Sequence, residues 1–280
     1  MTQTANPLKQ FFRQPALYLK LPSDGQFWEA GSLDLPPNKE LPVLPMTAMD
    51  EITYRTPDAL FNGSAVVNVI QSCIPGIKNA WKTPSVDLTS ILIAIRIATY
   101  NSEMDISSTC PACNTEGEYT LDLHTILGNL NKIDYSKSVK HGDLELFFKS
   151  VDYQTQNTLN TRQFEQQRLI QSIPDSGGTE EQKLAQLNVA VKEVTKLTIM
   201  AIANSIAGIR TPSAFVTEFD FIEDFLNNCD RNLFNIVRDH AVQMRENSEL
   251  RPVPVVCSNC NHNYEQTITL DSTSFFAVAS

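Results

Sequence analysis

"CPACNTEGEYTLD", Cys110–Asp122, and "CSNCNHNYEQTITLD", Cys257–Asp271, are the two stretches on which the fold turns. Each opens with C-x-x-C, crosses a short polar turn and runs into a strand-like segment that closes on Leu-Asp. Each also follows an extended lead-in, "SEMDISST" before the first pair and "LRPVPVV" before the second. Two such knuckles, each at the turn of a hairpin, make a zinc ribbon, because tetrahedral zinc takes four ligands with thiolate sulfurs about 2.3 Å away. A redox C-x-x-C typically opens a helix after a strand, and neither pair here is followed by helical sequence. Cys110, Cys113, Cys257 and Cys260 are therefore expected to hold one structural zinc per chain. His262 offers an alternative ligand through Cys260-x-His262, but four cysteines already suffice, which leaves it a surface or supporting residue.

Four protein ligands on one metal leave no position for water or substrate, so such a site stabilises and does not catalyse. About 140 residues separate the two pairs, against ~15–20 in a compact ribbon. That length must form an insertion whose ends both return to the ribbon. Closing so long a loop costs entropy that a bound metal can offset, which makes the metal a clamp. The other two thiols, Cys73 and Cys229, lie in apolar helical contexts and read as small buried hydrophobes.

Working outward, "ALYLKLPSDGQFWEAG" reads as two short strands about a turn at Ser23-Asp24-Gly25. "LDLPPNKELPVLPM" has prolines at 36, 37, 42 and 45, which points to an ordered arm without regular structure. Thr56 is an expected N-cap, with Pro57 and Asp58 in the first turn. Asn62-Gly63 breaks that turn, Ser64 restarts a helix and Pro75-Gly76 stops it. Asp87 is expected to cap "LTSILIAIRIATY", which is apolar on nearly every face and so a core helix, with Arg96 inside it paired or snorkelling. "KSVKHGDLELFFKSV" reads as a hairpin turning at His141-Gly142-Asp143. Helices follow: one from Asp152 to Pro174, one from Thr179 to about Gly208, and one or two within 219–248.

The chain has 280 residues, is 42% hydrophobic and carries a net charge of −10. That is enough chain for one or two domains with a substantial core. An acidic balance argues against coating phosphate, and the two knuckles "SSTCPACNTEGEY" and "VPVVCSNCNHNYEQ" contain no Lys or Arg. No window approaches the roughly 18 apolar residues of a membrane span, and the N-terminus lacks the apolar core of a secretory signal. A cytoplasmic folding site is expected, where cysteines serve as metal ligands or buried thiols more than as disulfides. No catalytic motif emerges: His124, His141, His240 and His262 are scattered, and G-x-S-x-G, H-E-x-x-H and phosphate-cradling glycine runs are absent. Glu180-Glu181 and Glu223-Asp224 are expected at helix starts, where the macrodipole accounts for them.

The stretches "LPVLPMTAMDEITYRTPDALFNGSAVVNVIQSCIPGI" and "VDLTSILIAIRIATY" leading into "CPAC", with "CSNC" and the later "LDSTSFF", resemble the baseplate hub and hub-assembly proteins of T-even-like contractile-tailed bacteriophages. The resemblance implies a non-enzymatic component of the tail baseplate, assembled in the host cytoplasm and packed against other hub and tail proteins, with no catalytic residues to carry over. It covers both virion subunits and assembly factors. An acidic zinc-ribbon adaptor or nucleic-acid-binding protein is a third reading. Asp50, Glu51, Arg55 and Asp58 would form either a partner surface or the chain's own loop-to-helix turn. The expected fold is α+β: a helical body with small antiparallel hairpins and a split zinc ribbon of four cysteines. The expected division is an extended Pro-rich arm with a hairpin over 1–46, a helical core segment over 47–102 and the split ribbon over 103–123 plus 251–272. The hairpin and helical insertion would span 124–250, and a tail 273–280. Neither nucleic acid nor membrane is expected as a partner, and self-association within a symmetric baseplate is compatible with this organisation.

Overall fold

Strand β1 (Leu17–Leu19) pairs antiparallel with β2 (Leu41–Val43), Tyr18 lying opposite Pro42. This computed structural model describes residues 6–56, 62–130, 133–268 and 276. The expected hairpin about Ser23-Asp24-Gly25 is therefore half right: the turn forms, with Gly25 at φ 86, but the partner strand comes from the proline-rich stretch. A two-stranded sheet tolerates Pro42 because an edge position needs no N–H from it. The segment packs on the chain's own body, with Leu19, Leu21, Leu41 and Val43 all buried in the first hydrophobic core.

That core is completed by α1 (Ala48–Tyr54), α2 (Ser64–Cys73) and α3 (Ser85–Thr99). Helix α1 precedes Thr56, the first expected N-cap, and "TAMD" carries its signal: Thr47 and Asp50 form a capping box. The expected turn at Thr56-Pro57-Asp58 falls largely outside the described residues. Gly63 adopts φ 78 as N-cap of α2, a left-handed conformation that a β-carbon would strain. Helix α3 is buried on most faces, as its sequence implies, but it starts on Pro84, not on Asp87. Asp87 lies inside the first turn and is fully buried. It accepts hydrogen bonds from Ser23 N (2.9 Å), Ser23 Oγ (2.5 Å) and Trp28 Nε1 (2.8 Å), tying the N-terminal turn to the core helix. Arg96 packs its guanidinium 5.6 Å from the centre of the Tyr100 ring. A second tie is Arg13, whose guanidinium donates to Pro45 O, Ser72 O and Ser72 Oγ and pairs with Asp50 at 3.2 Å. Asp50 thus organises the chain's own turn.

Two hairpin strands, β3 (Glu103–Thr109) and β4 (Glu116–Asp122), lead into the short helix α4 (Leu123–Gly128). Beyond it, β5 (Val139–His141) and β6 (Leu144–Phe148) turn at Gly142-Asp143 as expected. A long helical hairpin of α5 (Tyr153–Ser172) and α6 (Glu180–Ser205) then interrupts the sheet, which resumes with β7 (Ile206–Arg210) and β8 (Phe215–Val216) in the order β5-β6-β7-β8. The expected helix end near Gly208 is corrected to Ser205. Residues 206–210 form a strand on β6, and Gly208 leaves room for the Phe215 ring, which a β-carbon would approach to 2.5 Å. Helices α7 (Phe219–Asn228) and α8 (Arg231–Ser248) cover this sheet, and Leu146, Phe148, Ile206, Ile222 and Val237 fill a second core. Glu180 and Glu181 do open α6, whereas Glu223 and Asp224 lie mid-helix in α7, whose first-turn acid is Asp220. Strands β9 (Val253–Val256) and β10 (Asn263–Gln266) form the last hairpin. The fold is α+β, with eight helices and small antiparallel sheets among the described residues.

The insertion is pinned back to the first core between β6 and α5. Ser85 N donates to Val151 O and Tyr153 N to Thr83 O, both at 2.8 Å. On the return, Leu250 and Phe276 pack against the first core.

Candidate metal centre

Both knuckles are built alike, residue for residue. Strand β3 ends at Thr109, Cys110 N donates to Thr115 O at 3.0 Å, and Asn114 N donates to Cys110 O at 2.9 Å. Strand β9 ends at Val256, Cys257 N donates to His262 O at 2.9 Å, and Asn261 N donates to Cys257 O at 2.9 Å. The residue after the second cysteine is left-handed in each case, Asn114 at φ 55 and Asn261 at φ 57. Asparagine tolerates that conformation better than other non-glycine residues. The shared signature is thus C-x-x-C-N, one residue longer than the cysteine pattern alone.

The two turns face each other and bring all four sulfurs within 4.8 Å of one another. Across the knuckles, Cys110 Sγ lies 3.7 Å from Cys260 Sγ and Cys113 Sγ lies 3.6 Å from Cys257 Sγ. Thiolates 2.3 Å from a common tetrahedral centre stand about 3.8 Å apart, whereas a disulfide needs about 2.05 Å. The spacing therefore fits a shared metal and not two S–S bonds. Cys110 and Cys257 are buried, Cys113 is half-buried and Cys260 exposed. Asn259 Nδ2 donates to Cys113 Sγ at 3.7 Å and to Thr115 Oγ1 at 3.1 Å, so the second knuckle also grips the first through side chains. Contact with Thr115, first through its hydroxyl and then its backbone, draws the Cys113 thiol down to about 5.

The hairpins meet on polar residues and bury little apolar surface. Tyr264 OH donates to Ser108 Oγ at 3.0 Å, Ser108 Oγ donates to Gln266 Oε1 at 2.5 Å, and Tyr264 OH lies 3.4 Å from Tyr119 OH. In β3, β4 and β10 no apolar side chain is fully buried, and in β9 only Val255 is. Isolated two-stranded hairpins are marginal in water, and these two meet through polar contacts and the cysteine cluster. A set of four thiolates in tetrahedral array is the donor chemistry of zinc, or of iron in a sulfur site.

His262 keeps its ring out of the sulfur cluster and stacks on Tyr264 with centroids 6.3 Å apart, so it supports the turn through its backbone. Cys73 is fully buried beside Arg13, and burial pushes its thiol up to about 12. Cys229 is half-buried against α7. Asp50 joins Arg13, whereas Asp58 and the segment "LDSTSF" (270–275) fall outside the described residues. Among the described residues, no helix is long and apolar enough to cross a membrane. A family model described as T4 bacteriophage base plate protein matches residues 38–277. No curated protein and no solved structure matches the chain.

Proposed function

The chain belongs to the T4 bacteriophage base plate protein family, and on that premise we propose that it is a structural subunit of the hub region of a contractile-tail baseplate, stabilised by one zinc on Cys110, Cys113, Cys257 and Cys260. A structural role in the tail, beside other phage tail proteins, is what membership of this family supports. The hub position, assembly in the host cytoplasm and the identity of the metal are our reading. It is supported by the resemblance of the 41–113 stretch to hub proteins and by the four converging sulfurs. The ribbon segments 103–123 and 251–272 act as one unit that staples the excursion between them.

Function through protein contacts accords with the surface. Phe11 is 76% exposed, and Leu8, Phe12, Met49 and Ile52 are also exposed and available to a partner. Neither nucleic acid nor membrane enters the reading, because the ribbon strands carry no cations.

The observation that carries the proposal is the family match across most of the chain. Its test is a nonsense mutation in the coding sequence, followed by electron microscopy of the tails. Loss of complete baseplates, restored by the supplied chain, is expected. Normal baseplates without the chain would overturn it.

A further inference from the structure

The four cysteines of the cluster differ in how far solvent reaches them. Cys110 and Cys257, which open the two knuckles, are buried at 0% and 2% exposure, whereas Cys113 is half-buried and Cys260 exposed. The contacts across the cluster combine the two kinds. Exposed Cys260 lies 3.7 Å from buried Cys110, and half-buried Cys113 lies 3.6 Å from buried Cys257. Each contact therefore sets a sulfur open to a small oxidant against one that is shielded from it. Each also joins the hairpin of β3 and β4 to that of β9 and β10. An exposed thiolate with a second thiol at its side is the arrangement that oxidation to a disulfide requires. Closing either contact to a bond of about 2.05 Å brings the two sulfurs together by about 1.6 Å. The backbone bonds of the turns, Cys110 N to Thr115 O and Cys257 N to His262 O, do not involve the sulfurs.

We propose that the cluster is a site of two-electron oxidation by hydroperoxides, in which Cys260 and Cys113 react first and Cys110 and Cys257 resolve them, so that two disulfides between the hairpins replace the metal. This rests on the reading that the four thiolates hold a metal. The Cys260 thiolate attacks one peroxide oxygen and the O–O bond breaks; that oxygen stays on sulfur as a sulfenic acid and the other leaves as hydroxide. Cys110 then attacks the Cys260 sulfur, the S–S bond forms, the S–O bond breaks and a second hydroxide leaves. Each sulfur gives up one electron, and the peroxide takes both. Loss of two ligands out of four releases the metal ion. Cys113 and Cys257 repeat the sequence with a second peroxide. Bonds within each C-x-x-C would free the last hairpin, whereas bonds across the knuckles keep it stapled.

The test treats the full-length chain, its metal content measured beforehand, with hydrogen peroxide, and digests it with trypsin without reduction. Trypsin leaves Cys110 and Cys113 on peptide 97–132 and Cys257 and Cys260 on peptide 246–280, because Pro252 protects Arg251. The expected product is one species with the summed mass of both peptides less four hydrogens, formed as one metal ion per chain appears in a chromogenic chelator. Cys260→Ser and Cys110→Ser should each leave Cys113–Cys257 as the remaining link. The oxidised wild type should unfold at a higher urea concentration than the reduced chain in chelator. Separate peptides each lighter by two hydrogens, sulfonic acid at Cys260 without a disulfide, or intact thiols in excess peroxide would overturn the proposal. A chain without metal before treatment defeats the metal reading and leaves the pairing testable on the same peptides. A metal-loaded chain that closes its bonds within the knuckles defeats this proposal alone.

Discussion

Replacing Cys257 and Cys260 together by serine removes half of the sulfur cluster and should release the last hairpin from β3 and β4. The cost depends on what the crosslink closes. Measured on the whole unfolded chain, a link between Cys110 and Cys257 closes a loop of about 150 residues, which the chain-entropy relation values at about 5 kcal/mol. The folded protein already holds both approaches, however: Tyr100 and Met104 pack on the first core shortly before Cys110, and Leu250 packs on it shortly before Cys257. Against that background the link closes a loop nearer 15 residues, worth about 3 kcal/mol. A loss of about 3–5 kcal/mol is therefore expected, a large part of the stability of a typical domain. Urea unfolding with and without a chelator measures it, and hydrogen exchange locates it. Amides of β3, β4, β9 and β10 should lose protection first, while those of α2 and α3 persist. The wild type in chelator should behave like the variant. If the double variant retained bound metal and unfolded at the wild-type urea concentration, the clamp would be refuted.

Other perturbations test the remaining joints. Arg13→Ala removes donors to Pro45 O and Ser72 and leaves the half-buried Asp50 without its cation; it should cost about 2–3 kcal/mol by thermal or urea unfolding. Gly63→Ala forces a β-carbon into a left-handed residue and to 2.9 Å from Asn157, so a loss of about 1–2 kcal/mol is expected, with faster exchange at the start of α2. Asp87 and Asp50 should impose opposite pH slopes. Burial, opposed by hydrogen bonds from Ser23 and Trp28, raises the Asp87 carboxyl in the folded state, so its contribution is fullest below 3.8 and falls as pH rises through the folded value. At Asp50 burial is outweighed by hydrogen bonds from Thr47 and Ser72 and by Arg13, which lower it. Its contribution is present above 3.8 and is lost as pH falls through the folded value. Unfolding free energies of Asp87→Asn and Asp50→Asn between pH 3 and 7 should change slope in opposite directions, and equal slopes would refute the assignment.

The cysteine cluster is legible in sequence because such turns are local: two C-x-x-C motifs announce themselves whatever lies between them. The hairpin of β5 and β6 is legible for a similar reason, since Gly142 marks its turn. What escapes is decided across distance. Strand β2 hides in a proline-rich run because only its edge position excuses Pro42, and its partner lies more than twenty residues upstream. The stretch "IMAIANSIAGI" (199–209) satisfies helix and strand periods at once, and the pairing of Ile206–Arg210 with β6 decides between them. Asp87 looks like a cap because an acid near a helix start suits the macrodipole equally well. Its bonds to Ser23 and Trp28, over about sixty residues, leave no local trace. The contacts joining the two hairpins through Ser108, Tyr119 and Tyr264 are likewise tertiary.

The most direct measurement of the structural role is absolute quantification of the chain by mass spectrometry in purified mature tails. A subunit should appear at a fixed, integral copy number relative to the other baseplate proteins, and should stay after high-salt washing. Absence from tails whose baseplates are complete would contradict the subunit assignment and make the chain an assembly factor that leaves before maturation.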